Sequence, residues 1–303
     1  RLNSDPCFKR VSTIITNCAA SLCFLQNCIR RAHVIQCADM NLFDTHAHFS
    51  GDRDKVRETL DRAFRAGVSN LMAVGGSPEL NSAALLAAEA ATDADGKPAV
   101  RLALGLDRDQ ASDSGAACPR YDLSCVIDRR DRLSAIGEIG LDFHYPGAST
   151  KAQCDLFAAQ LELARELSLP AVIHTRDADD ATLGVLDESD FHNGIIHCFT
   201  GSVPFERKLL DRGFMISISG IVTFRAAENV RDAARYVPID RLLVETDSPF
   251  LAPAPMRGAE NEPAFIAHTV RFLADLRKTS ADMLADLTSR NAEGILPCLP
   301  RRR

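Results

Sequence analysis

Between residues 41 and 244, eight short apolar runs alternate with amphipathic stretches, and this alternation leaves the chain few architectures. The predicted strands are 41–45, 69–74, 100–105, 133–137, 171–174, 194–197, 214–218 and 241–244. Helical periods lie between them. The clearest covers 150–167, where Cys154, Leu156, Phe157, Leu161, Leu163 and Leu167 recur at helical spacing. Strands separated by helices pair in parallel, because a parallel neighbour requires a crossover connection. Eight such strands close a barrel; an open, doubly wound sheet is the rival.

Ligand-type side chains discriminate between the two. His46 and His48 flank one residue at the end of the first strand and so point the same way. Glu138, His174, His197 and Asp247 each end a later apolar run. In a barrel, residues at the C-terminal ends of distant strands converge on one axis. In an open sheet, the first and eighth strands are too far apart to share an ion. The set therefore predicts a single-domain (β/α)8 barrel with a catalytic metal site, three or four N and O ligands per ion leaving room for water. A carboxylate can bridge two ions, and Glu138 falls between the two histidine sets.

Charge restricts the partners. A net charge of −6 and a pI near 5.8 argue against a broad basic face for coating duplex DNA, though not against a nuclease whose ions bring positive charge to the site. Of ten cysteines, Cys7, Cys18, Cys23, Cys28 and Cys37 precede the first strand. The remainder are too scattered for a disulfide framework and read as reduced thiols of an intracellular protein.

Residues 1–39 do not match the rest. The stretch 11–29 lacks charge and is flanked by Lys9-Arg10 and Arg30-Arg31, as in a signal peptide or anchor, but it contains Asn17, Gln26 and Asn27. Cys23, Cys28, His33 and Cys37 cluster without the close cysteine pairs of zinc fingers. The preferred reading makes 1–39 an extension outside a working domain at 40–297, with 298–303 a basic tail. No other segment approaches transmembrane length.

Five motifs carry a family resemblance: Asp44-Thr45-His46-Ala47-His48, Gly137-Glu138-Ile139-Gly140-Leu141-Asp142, Ile173-His174-Thr175-Arg176-Asp177-Ala178, His197-Cys198-Phe199-Thr200-Gly201 and Glu245-Thr246-Asp247-Ser248-Pro249. In order and interval they resemble the TatD family of metal-dependent deoxyribonucleases. The resemblance implies a TIM barrel, two divalent ions (Mg²⁺, Mn²⁺ or Zn²⁺), and hydrolysis of DNA phosphodiesters from single-stranded or 3′ ends. It also implies a cytoplasmic enzyme with no membrane attachment of the barrel, expected to be a monomer. Carried over, His46, His48 and Asp247 hold one ion, His174 and His197 the other, and Glu138 bridges them. Glu138 and Asp247 are the expected catalytic groups, with Asp247 taking the proton from water. Arg176, Arg257 and His144 are the expected substrate contacts; Arg225 and Asn261 are weaker candidates.

The chain departs from the family pattern at the rim. Gly105-Leu106-Asp107 stands where the family commonly has Gly, an apolar residue and His followed by Pro. Met256 and Ala259 replace a frequent His and Lys. The competing reading is an amidohydrolase acting on a small-molecule amide, lactone or phosphoester. Binuclear amidohydrolases commonly bridge their metals with a carboxylated lysine after the fourth strand, where this chain has Glu138 and no lysine nearby. His192 and His268 are expected to be ordinary surface residues.

Overall fold

The eight predicted strands form one sheet whose neighbours follow chain order, each pair parallel. They are β1 (Leu42–Ala47), β2 (Val68–Gly76), β3 (Ala99–Leu106), β4 (Ala135–Asp142), β5 (Ala171–Arg176), β6 (Gly194–Ile196), β7 (Met215–Ile218) and β8 (Leu242–Val244). The computed structural model describes residues 40–92, 96–113 and 121–297; the extension 1–39 and the tail 298–303 lie outside the described residues. β1 and β8 meet at the seam. His48 N donates to Ser248 O at 2.8 Å, Asp247 N to His46 O at 2.9 Å, and Thr45 Oγ1 to Val244 O at 3.1 Å. These bonds close the ring into a nearly complete TIM barrel.

Helices return the chain between strands, and their starts are written locally. Ser149, Ser202 and Ser280 each accept a hydrogen bond from a backbone N–H three residues on, opening the helices Thr150–Glu166, Val203–Asp211 and Ala281–Ile295. Alternate strand residues fill the barrel: Phe43, Met72, Val74, Ala103, Ala135, Val172, Ile195, Met215 and Leu243 form one buried cluster. Ala292 and Leu296 join it, so the last helix plugs the lower end. Ser289 Oγ donates to Asn41 O at 2.8 Å, and Asn291 Nδ2 to Leu242 O at 2.9 Å, at the starts of β1 and β8. The lower end is thereby sealed, and the polar side chains collect at the upper one.

One strand differs from expectation in a way that matters. β4 does not stop at 137 but continues to Asp142, so Glu138 lies inside it, at a register irregularity between Ile136 and Ile139. Gly137 and Gly140 weaken the strand signal, which is why the sequence reading ended early. Gly140 has φ +132°, and a Cβ there would stand 2.0 Å from the His174 carbonyl oxygen. Only glycine lets β4 run this close to β5 while turning Glu138 toward the mouth.

Candidate metal centre

All six predicted ligand residues come together above the barrel core, in two groups that share one carboxylate. His46 Nε2 and His48 Nε2 are 3.1 Å apart, with Glu138 Oε2 at 3.5 and 3.4 Å. Asp247 Oδ1 lies 3.9 and 3.7 Å from the same two nitrogens. On the other side, His174 Nδ1 and His197 Nε2 are 3.1 Å apart, with Glu138 Oε1 at 3.2 and 3.1 Å. Glu138 thus turns one oxygen to each histidine pair.

Hydrogen-bond accounting shows what these atoms want. His48 Nδ1 lies 3.0 Å from the Val74 carbonyl oxygen, which can only accept, so Nδ1 carries the hydrogen. His197 Nδ1 faces Glu245 Oε1 at 3.3 Å, and Glu245 is fully buried. In the neutral rings each Nε2 is therefore a bare lone pair, and the lone pairs face carboxylate oxygens and one another. Converging acceptors of this kind are completed by cations. The donor set fits: His46, His48 and Asp247, and likewise His46, Glu138 and His197, offer atoms within 4.8 Å of one another.

The same convergence of acceptors draws protons. Burial, together with the nearby His197, pushes His46 down to about 4. Burial alone would raise Glu138, but His197, His174 and His46 overcome it and hold the carboxyl well below its usual range. Burial disfavours charge on His197 too, yet Glu138 and Glu245 hold that ring well above its usual range. Burial pushes Asp247 up to about 6. Ions entering this cluster compete with protons, so their affinity rises with pH.

A buried polar frame positions the β1–β8 side. Asp44 accepts from His46 N at 3.3 Å, Thr246 N at 2.9 Å and Thr246 Oγ1 at 2.6 Å, and burial raises it to about 7. Asn261, expected at the rim, is instead a strap: its Nδ2 donates to the carbonyls of Thr246 and Phe250. On the β4–β5 side, His174 Nε2 lies 3.2 Å from Asp142 Oδ2. Asp142 had no role in the sequence reading, although strand alternation from Glu138 through Gly140 puts it on the same face. Glu245, fully buried, supports the His197 ring from the β8 side.

Beside the centre opens a cavity of about 580 Å³ whose wall includes Asp107, Arg108, Tyr145, Arg176 and Phe250. Arg176, an expected substrate contact, lines it, donating from Nη1 to the Tyr145 hydroxyl at 3.3 Å. The two other expected contacts lie off this wall. His144 Nδ1 pairs with Asp177 Oδ2 at 2.8 Å, and the Arg257 guanidinium packs 3.8 Å from the Phe224 ring centroid while donating to Ala252 O. His192 pairs with exposed Asp190, below β6, where it was expected to be inert.

The family model described as "TatD related DNase" matches residues 43–297. The chain belongs to the TatD family. The uncharacterized metal-dependent hydrolase YcfH of Escherichia coli (strain K12) is 46% identical over 175 residues, 56% of this chain and only 66% of YcfH. The 3′–5′ ssDNA/RNA exonuclease TatD of Erwinia tasmaniensis is 35% identical over 262 residues, covering 84% of this chain and 97% of that protein. The crystal structure of the TatD homologue YjjV from Escherichia coli K12 superposes with TM-score 0.73 at 28% identity, covering 85% of this chain and 98% of that one.

Proposed function

We propose that this TatD-family chain is a metal-dependent hydrolase that cleaves DNA phosphodiesters, working as a 3′–5′ exonuclease on single-stranded ends. The observation that carries this is Glu138, whose two oxygens serve two histidine pairs and make the cluster suited to two ions rather than one. His46, His48 and Asp247 would hold one ion, His174 and His197 the other, with Glu138 between them. When bound, such ions activate water and neutralise charge developing on the phosphate. The name of the Erwinia relative points to nucleic acid as the substrate.

The chain's own groups divide the remaining work. Asp247, at the mouth and 3.7 Å from His48 Nε2, accepts the proton from the attacking water. Arg176 offers a planar fork to a substrate phosphate. Val74 and Glu245 lock the ring orientations of His48 and His197, so the donor set needs little rearrangement. Among the described residues no helix is long and apolar enough to cross a membrane. The reading places the enzyme in the cytoplasm as a monomer using Mg²⁺, Mn²⁺ or Zn²⁺.

The test is cleavage of a 3′- or 5′-labelled single-stranded oligonucleotide by the full chain with each ion in turn and with chelator. A ladder advancing from the 3′ end, lost with chelator and in Asp247→Asn, is the expected result. Intact DNA under every ion, alongside hydrolysis of an amide or lactone, would replace this reading with the amidohydrolase one.

A further inference from the structure

We propose that Arg108 recognises the phosphate next to the scissile one in an oligonucleotide, working beside Arg176 along the Tyr145 ring; this rests on the nuclease reading above. Arg108 opens the short turn Arg108–Gln110 after β3 and lines the same cavity as Glu138, His174 and Arg176. Its Nε pairs with Asp109 Oδ1 at 2.9 Å, while its Nη1 lies 4.0 Å from Asp142 Oδ1. That Nη1 is buried and has no hydrogen-bond partner among the described residues. With Nη1 sealed and no acceptor fixing it, a substrate phosphate meets this side chain through the 16% that stays exposed on the cavity wall, and a planar guanidinium fork is a donor well suited to it.

Position and posture support the assignment. The other oxygen of Asp142 lies 3.2 Å from His174 Nε2, so a single carboxylate separates this guanidinium from the histidine pair. The Arg108 and Arg176 guanidinium carbons lie 5.2 and 4.9 Å from the Tyr145 ring centroid. The ring holds both cations along one wall, close to the ligand cluster without joining it. An ordinary ion pair explains less. The 4.0 Å approach to Asp142 is beyond hydrogen-bond length, and Asp109 is 60% exposed and reaches only Nε. A nucleic-acid strand brings a second charge one nucleotide away; a small phosphoester does not.

The full chain, loaded with Mn²⁺, is assayed on a short labelled oligothymidylate and on bis(p-nitrophenyl) phosphate, which carries a single phosphate. Arg108→Ala is expected to raise KM for the oligonucleotide about tenfold, against about twofold at most for the diester, with little change in kcat. The slope of log KM against log salt should fall by about 0.7, the share of one contact to a single strand. Arg108→Lys, which keeps the charge but not the fork, should recover part of the affinity. Arg108→Gln serves in place of alanine should the shorter side chain unfold the turn, judged by circular dichroism. An unchanged oligonucleotide KM and salt slope, or equal losses on both substrates, overturns the assignment and leaves the nuclease reading standing. A wild-type chain that hydrolyses the diester but no oligonucleotide overturns both.

Discussion

The two halves of the ligand cluster are built differently. At the β1–β8 seam, His46 and His48 have side-chain exposures of 0% and 6%, and Asp44, Thr246 and Asn261 frame them with buried hydrogen bonds. Across Glu138, His197 is equally enclosed, at 3% with fully buried Glu245 behind it, but the His174 side chain is 26% exposed and its lateral partner, Asp142, itself faces the cavity. The closed half is over-determined, so its geometry survives without a substrate. The open half gives up some of that definition for access. A site of this kind keeps its precision where strands fuse the barrel and its adaptability where loops meet substrate.

Breaking the link between the halves should have the largest effect. Glu138→Ala removes the one side chain common to both, and kcat/KM on any substrate should fall well beyond the ~100-fold that loss of an outer partner costs. Activity retained within tenfold would mean that the halves work independently. Next is the frame of the closed half. Asp44→Ala strands three buried donors, the N–H of His46 and the N–H and hydroxyl of Thr246, and should cost about 3 kcal/mol in urea unfolding. A loss below about 1 kcal/mol would show the frame to be dispensable.

The open half should respond locally instead. Asp142→Asn is expected to weaken one of two metal-binding steps by about 10–100-fold in calorimetric titration and to spare the unfolding midpoint. Weakening of both steps would erase the contrast. The smallest effect tests what a buried carboxylate does without Asp44's partners. Glu206, fully buried on the helix Val203–Asp211, has neither oxygen hydrogen-bonded among the described residues, and burial raises it to about 8 from an ordinary 4.5. Across that window the folded chain holds a proton that the unfolded chain has released, so stability falls as pH rises and levels off above the folded value. Glu206→Gln removes the dependence, and its advantage over wild type should widen by about 1 kcal/mol between pH 5 and pH 6. A gap independent of pH would show that the carboxylate is solvated or paired after all.

The strand count, the barrel and the six converging residues were legible because each rests on a short-range rule. Strand periodicity points His46 and His48 the same way, and apolar runs ending in His174, His197 and Asp247 mark the mouth. Other features were hidden for a physical reason. Glycines that let β4 pass close to β5 also suppress its strand signal, so Glu138 looked like a strand end when it sits within the strand. Asn261 looked like a rim residue because nothing local shows that its amide ties two carbonyls. Arg257 and Arg176 carry the same charge, one in the loop after β8 and the other at the end of β5, yet one packs on Phe224 and the other reaches the cavity.

The amino-acid order alone thus determined the architecture and the chemical character of its upper end, since periodicity and ligand type are properties of neighbouring residues. Tertiary structure decided which oxygen of Glu138 meets which histidine pair, which acids orient the rings, and that Arg108 keeps an unsatisfied donor beside them. Those outcomes depend on distances between strands far apart in the chain, set by barrel closure and by where glycine permits close approach.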